Sequence, residues 1–315
     1  MKFYFAPLEG LTGYVYRNAH HAFFPQGINK YFSPFIIANQ SDSFKTRDMN
    51  DILPENNQGI ELIPQLLTNN ADDFIHTAKR LKQLGYNEIN LNLGCPSGTV
   101  VSKGRGSGFL AKTAELDVFL EKIFSQQITR ISVKTRIGKD SAEEFHALMA
   151  IYNKYPMEEV IIHPRVQTDY YKNKPNMAIF AEALHQSKNP VCYNGDLFSA
   201  GDFHEFSAGY PGVGTVMLGR GLLINPGLIQ ELLCNTRLDK NLLKNFHDAI
   251  CDGYARILFG DKNILYKMKD LWTYMILMFS DHAKHLKRIK KAQSLRDYHE
   301  AVSCLFSELD ILENG

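Results

Sequence analysis

The sequence has no apolar run approaching the ~18 residues of a membrane span, and its opening stretch MKFYFAPLEG is broken by Pro7 and Glu9. It therefore reads as neither membrane-spanning nor led by a signal peptide, and the expectation is a cytoplasmic chain. Cysteine is sparse and unpatterned. Cys95, Cys192, Cys234, Cys251 and Cys304 are an odd set of five with no CxxC pair. That speaks against a disulfide framework and against a thiolate zinc site. The 11 histidines show no HExxH or similar spacing, so no metal is expected. Net charge is nearly absent: 35 Lys and Arg against 34 Asp and Glu leave +1. Any surface for a polyanion must be local. The dinucleotide-binding fingerprint, which sits in the first strand-to-helix turn, is also missing. GRGSG (104–108) lies well beyond its strand, and GVG (212–214) precedes its own.

What is present is a repeating alternation of strand and helix. The chain has 315 residues and is 44% hydrophobic, enough for one large domain or a large and a small one. Eight short apolar runs read as strands: KFYFAPL, KYFSPFI, IELIPQLL, EINLNLGC, RISVKTRIG, EVIIHPR, PVCYNGD and GTVMLGR. Most are followed by an amphipathic stretch. NADDFIHTAKRLKQLG places Phe74, Ala78, Leu81 and Leu84 at helical spacing before Gly85. TAELDVFLEKIF and SAEEFHALMAIY each begin with a Ser or Thr that suits an N-cap. Residues 38–60 read as a long polar loop. Eight strands joined by helices predict a (β/α)8 barrel over residues 1–238 in preference to a doubly wound sheet. The unusual residues sit at strand C-terminal ends around the whole set, where a barrel builds its site. From residue 239 to 315 the strand pattern stops and a small helical domain is expected.

Lys134 and Arg136 alternate along one strand and so face one side. Two cations there call for an anionic or electron-rich ligand, or for a carboxylate partner inside the barrel. YNGD, with Asn194, Gly195 and Asp196, ends the seventh strand, and Gly219-Arg220 follows the eighth. Consecutive strand ends of this kind suit a phosphate, although Asn-Gly also makes plain turns. His163 ends the sixth strand beside Arg165. Cys192, Cys234, Cys251 and Cys304 lie in apolar surroundings and read as core. Between residues 262 and 296 nine Lys and Arg face two acids, an excess of +7. Tyr266, Trp272, Tyr274 and His285 interleave with them, which fits either a nucleic-acid grip or a solvated helix face.

The segment LNLGCPSGTVVSKGRGSGFL exposes Cys95 between a glycine and a proline. With APLEGLT, PQLL, VKTRIG, IHPRVQTDYY, YNGD, MLGRGLL and KMKDLWTY in order along the chain, it resembles the tRNA-dihydrouridine synthase family. The resemblance implies an FMN-bearing (β/α)8 barrel with a helical RNA-binding domain, NADPH as reductant and a uridine of folded tRNA as substrate. It implies that Pro7, Leu8, Glu9, Gln65, Lys134 and His163 contact the flavin, and that Asn194, Gly195, Asp196, Gly219 and Arg220 hold its ribityl-phosphate end. Asn92 and Arg136 would face the flavin or the base, and Cys95 would be the general acid. Lys103 and Arg105 would meet RNA phosphates or help close the site, and Lys267, Lys269, Lys287, Arg288, Lys290 and Lys291 would contact RNA phosphates. Gly94 would permit close backbone approach and Pro96 would fix the turn. A monomer is the family default. Glu9-Gly10 departs from the Ala-Gly more usual in the first motif, and Asp270 stands where a His is more usual. Ribosomal RNA, or a free pyrimidine in the manner of dihydroorotate dehydrogenase, are the alternative substrates.

Overall fold

Proline sets the first feature of the sheet. The computed structural model, which describes residues 1–312, has ten hydrogen-bonded strand segments, but two pairs of them are single strands interrupted at a proline. The strands are β1 (Lys2–Phe5), β2 (Ile28–Phe32 with Ile36–Ile37), β3 (Leu62–Ile63 with Gln65–Leu67), β4 (Glu88–Leu93), β5 (Arg130–Gly138), β6 (Val160–Val166), β7 (Val191–Tyr193) and β8 (Thr215–Leu218). Pro34 and Pro64 stand in the two gaps, and neither has an N–H for the ladder. Pairing resumes beyond both breaks with a one-residue slip, Tyr31 standing opposite Leu62 before them and Ile36 opposite Leu66 after them, as one extra residue in β2 requires. Segment order runs from the second half of β2 round to the first half of β3, so the sheet closes on itself. This is the eight-stranded parallel barrel expected from the sequence.

Contacts divide the chain into two units: Met1–Pro7, Asn29–Asp196 and Pro211–Met217 form one, and Leu8–Ile28, Leu197–Tyr210 and Leu218–Gly315 the other. In the first unit, the barrel interior carries an apolar layer of Tyr4, Ala6, Phe32, Ile63, Ile161, Cys192 and Met217. The helix Ala71–Gln83 buries Phe74, Ala78 and Leu81, is capped by the Asn70 side chain and stops at Gly85 with φ +97°. Phe74 meets Phe119 of the helix Thr113–Ser125 edge to face at 6.1 Å.

Three local expectations are corrected. Residues 38–60 include a helix at Thr46–Ile52 and a short 3-10 turn at Pro54–Asn57. Thr113 is the first helical residue and caps nothing. The helix Glu144–Tyr152 is held at its start by Glu144, whose carboxylate accepts from the backbone N–H of Lys139, Asp140 and Ser141. A carboxylate there also suits the helix dipole.

The second unit is helical at its C-terminal end: Lys240–Ile257, Asp261–Met275, Ala283–Lys291 and Leu295–Glu308. Its buried polar core is Trp272, which donates to Tyr298 Oη at 2.7 Å, and Tyr298, 2.6 Å from His247 Nε2. Burial keeps His247 neutral and its Nδ1 faces the Asp248 carboxylate, which only accepts, at 2.8 Å, so Nε2 takes the Tyr298 proton. Of the cysteines expected in the core, Cys192 and Cys251 are buried, but Cys234 is exposed and Cys304 half-buried. Among the described residues no helix is long and apolar enough to cross a membrane.

Candidate functional site

The chemistry-bearing residues of the first unit gather at the C-terminal ends of β3 to β7. Alternation along β4 and β5 puts Glu88, Asn90 and Asn92 beside Arg130, Ser132 and Lys134 in register. Beyond β4 the chain turns sharply. Asn92 Oδ1 accepts from the N–H of Gly94 at 3.0 Å and of Cys95 at 2.9 Å, while its Nδ2 donates to Gln65 Oε1 at 2.7 Å. The Cys95 thiol, half-buried, thus hangs from a turn pinned to the barrel interior.

The glycine that permits close approach is Gly106 rather than Gly94. A Cβ on Gly94 would meet the Thr135 and Arg136 backbone at 3.5 and 3.6 Å, ordinary contact distances. A Cβ on Gly106, whose φ is +55°, would lie 2.8 Å from the Cys95 carbonyl and 3.0 Å from Cys95 Cβ. A Cβ on Gly108 would lie 2.7 Å from the Val101 carbonyl. The glycine-dense loop therefore folds back against the thiol's own backbone, and Ser107 donates to the Cys95 carbonyl through both N–H (3.1 Å) and hydroxyl (2.8 Å). On the same loop Arg105 reaches Asn69 at 3.4 Å, and Lys103 is exposed.

Arg136 is buried, and its nitrogens are occupied by protein carbonyls: Gly94 at 3.1 Å, Val166 at 2.8 Å and Tyr170 at 2.8 Å. It ties the cysteine turn to the loop after β6. In that loop Tyr170 adopts a left-handed φ of 51°, unusual for a residue with a bulky side chain. The ring of Tyr171 lies 5.5 Å from the guanidinium. Lys134 differs. It is half-buried with no hydrogen-bond or ion-pair partner for its ammonium among the described residues. Burial pulls it down to about 8, and Arg136 adds to the fall. An unpaired, desolvated ammonium in a barrel mouth fits an electron-rich ring or an anion.

At the ends of β6 and β7, Arg165 forks onto Asp196, with one bond at 2.9 Å, and also donates to His163 Nε2 at 2.9 Å. Arginine only donates, so His163 is neutral at Nε2. Asn194 donates to the Met217 carbonyl at 2.8 Å. A Cβ on Gly195 would overlap the Tyr193 ring and hydroxyl, so glycine lets the backbone at that strand end pack directly against the tyrosine. The ammonium of Lys134 and the second N–H of Gln65, neither with a partner among the described residues, together fit a flavin-sized polar ring system.

The remaining expected residues are placed as follows. Pro7 and Leu8 are half-buried and Glu9 exposed. Leu8 begins a tight turn in which its N–H donates to Thr12 Oγ1 at 2.8 Å. Gly219 precedes a helix of only five residues, Arg220–Ile224, and the Arg220 guanidinium lies 5.0 Å over the Phe198 ring. Lys267 donates to the Gly10 carbonyl at 2.9 Å, Lys269 to Ala292 and Lys290 to Lys269. Those three are committed to backbone. Lys287, Arg288 and Lys291 are exposed and, with Lys284, line one groove. Sequence reasoning counted Lys284 in the basic excess without naming it as an RNA contact, and passed over Glu88, Asn90 and Ser132. The alternation of EINLNL was the available signal for Glu88 and Asn90. His285, Cys304 and Glu308 bring three ligand atoms within 4.8 Å of one another, but the thiol already donates to Glu308 at 2.9 Å.

A model of the dihydrouridine synthase family matches residues 4–314. The chain belongs to the dihydrouridine synthase family. It is 29% identical over 172 residues to the tRNA-dihydrouridine(16) synthase of Neisseria meningitidis serogroup B, covering 53% of this chain and 51% of that protein. It is 25% identical over 232 residues to a probable tRNA-dihydrouridine synthase 1 of Synechocystis, covering 72% and 63%. A probable tRNA-dihydrouridine synthase of Helicobacter pylori is 30% identical over 195 residues, covering 60% and 57%. The chain thus spans about half to three-fifths of the length of these synthases. Morphinone reductase superposes with a TM-score of 0.53 at 10% identity, over 76% of this chain and 87% of that one. Histamine dehydrogenase from Rhizobium sp. 4-9 gives 0.56 at 11%, over 88% and 51%. At such identities the likeness is one of fold, the barrel itself.

Proposed function

We propose that this member of the synthase family reduces the C5=C6 bond of a uridine in tRNA, with FMN as cofactor and NADPH as reductant. The observation that carries the reading is the pairing of a half-buried thiol, Cys95, with an unpaired ammonium, Lys134, at the ends of neighbouring strands. Family membership and the relatives' names support the substrate.

FMN held by these residues and recharged by NADPH would supply the hydride chemistry that reduction at uracil C6 requires. The residues of the chain do the rest. A proton must reach C5, and a cysteine, with an ordinary pKa of ~8.5, is mostly the thiol near neutrality and can deliver it. Asn92, Ser107 and Arg136 hold the turn that carries the thiol, so its Sγ–H is presented in one place. Lys134 stands ready to meet electron-rich ring atoms, and Gln65 and His163 complete the polar lining of the first unit. Asn194, Gly195 and Asp196 are assigned to the ribityl-phosphate end. After transfer the thiolate regains its proton from solvent. The target base is stacked in folded RNA and must be turned out to be reached. Residues 239–315 supply the RNA-binding domain, with Lys287, Arg288 and Lys291 as its exposed phosphate contacts.

Two measurements test this. Dihydrouridine mapping in tRNA and ribosomal RNA from cells with and without the gene should show loss at a defined tRNA position. Purified Cys95→Ala should stay yellow yet reduce tRNA at least about a hundredfold more slowly. Wild-type turnover by that variant would remove Cys95 from the mechanism. Turnover of free uracil without tRNA would point to the free-pyrimidine alternative.

A further inference from the structure

Beneath the cysteine turn runs an unbroken chain of side-chain hydrogen bonds within the barrel. Lys30 donates to Glu88 Oε2 at 2.6 Å, and Ser132 donates to Glu88 Oε1 at 2.9 Å. Asn90 Nδ2 donates to Ser132 Oγ at 3.0 Å, and Gln65 Nε2 to Asn90 Oδ1 at 2.8 Å. Asn92 Nδ2 donates to Gln65 Oε1, and Asn92 Oδ1 receives the N–H groups of Gly94 and Cys95. Glu88, Asn90, Gln65, Asn92 and Ser132 are all 8% exposed or less. A misdirected amide there has little water to relieve it.

The direction of this chain follows from its ends. A carboxylate only accepts. The single hydroxyl proton of Ser132 is therefore drawn to Glu88, and its lone pair faces Asn90, which must present its NH2. The same choice repeats at Gln65 and Asn92 and leaves an oxygen facing the two backbone N–H groups. We infer that Glu88 is a positioning residue for Cys95: through one-way hydrogen bonding it sets the orientation of three amides and so supplies the acceptor that holds the thiol's turn. No sequence motif marks this role, because the links join β3, β4 and β5.

Glu88→Gln makes a sharp test. Lys30 has only donors, so it claims the oxygen of the new amide and turns the NH2 toward Ser132. Ser132 must then donate to Asn90, the three amides reverse, and Asn92 presents its NH2 to the N–H groups of Gly94 and Cys95. Removing the lysine as well, in Lys30→Met/Glu88→Gln, frees the new amide to offer its oxygen to Ser132 and restores the original direction. The readout is backbone hydrogen exchange of a peptide covering Gly94 and Cys95, in the full-length protein without RNA or reductant. Glu88→Gln should exchange these amides about tenfold faster, equivalent to about 1.4 kcal/mol, and the double variant should recover the wild-type rate. Wild-type protection in Glu88→Gln overturns the inference. So does equal loss in the single and double variants, which would signal general loosening. If Glu88→Gln does not fold, Ser132→Ala cuts the chain nearer the thiol without touching the buried charges, and wild-type protection there is equally fatal. The consequence for turnover rests on the proposed role of Cys95, whereas the exchange pattern does not. Correct exchange with unchanged turnover would count against that role alone.

Discussion

Replacing Gly106 by alanine perturbs the proposed site without touching a polar side chain. The residue adopts φ +55°, a left-handed conformation that costs a non-glycine residue about 1–2 kcal/mol. Its new Cβ would also sit 2.8 Å from the Cys95 carbonyl and 3.0 Å from both Cys95 Cβ and Val100 Cγ1. The carbonyl cannot retreat without stretching its two bonds from Ser107, at 3.1 and 2.8 Å. Each such bond contributes about 1 kcal/mol net. Conformational strain plus loss of one or two bonds gives about 2–4 kcal/mol. Against a typical total of about 5–15 kcal/mol, the variant should fold but unfold at clearly lower urea, with an unchanged m-value. Gly98→Ala is the control, since a Cβ there meets nothing within 4 Å and the residue opens the helix Gly98–Val101. It should be neutral or gain up to about 1 kcal/mol. The same urea midpoint for Gly106→Ala and wild type would refute the claim that this loop is packed against the thiol's backbone.

Lys134 carries a pH signature. Its folded value of about 8 lies below the ordinary 10.5, so the burial penalty is complete below about 8 and is relieved as pH rises toward 10.5. Lys134→Met should therefore raise the melting temperature near pH 7 by a few degrees and flatten that alkaline rise, while flavin binding weakens; an unchanged slope would show that the ammonium is not desolvated. Glu159 gives the opposite window. Burial lifts its carboxyl from 4.5 to about 7, so the folded state holds the proton more tightly and stability falls as pH rises between those values. Glu159→Gln should abolish that fall, as read by melting temperature from pH 4.5 to 7.5, and a persisting fall would assign it to another group. For RNA, replacing Lys287, Arg288 and Lys291 with alanine should reduce the slope of log K against log salt by about 2–3. Replacing Lys267 or Lys269 should lower stability with little change of slope, because those side chains hold backbone carbonyls.

The barrel was legible because its signals are local. Eight apolar runs of strand length, helical spacing between them and residues such as Asn92, Lys134 and His163 at run ends all lie within a few positions of one another. So was the family, through motifs in order along the chain. Where a local signal was ambiguous, the fold decided against it. Glu144 rather than a Ser cap holds its helix, a helix forms at Thr46–Ile52 in a polar stretch, and Cys234 is exposed within an apolar run.

The composition of the site was thus written in the sequence, but the work of each residue was not. Arg136 and Lys134 are two positions apart and equally cationic, yet one is occupied by three carbonyls from distant segments and the other is left unpaired. Gly94 flanks the thiol in sequence, but Gly106 crowds it in space. Sequence by itself determined which side chains arrive at the barrel mouth, because strand periodicity fixes the face each one takes. Only the tertiary structure decided which are bonded and which remain available, because a hydrogen bond depends on where partners dozens of residues away come to rest.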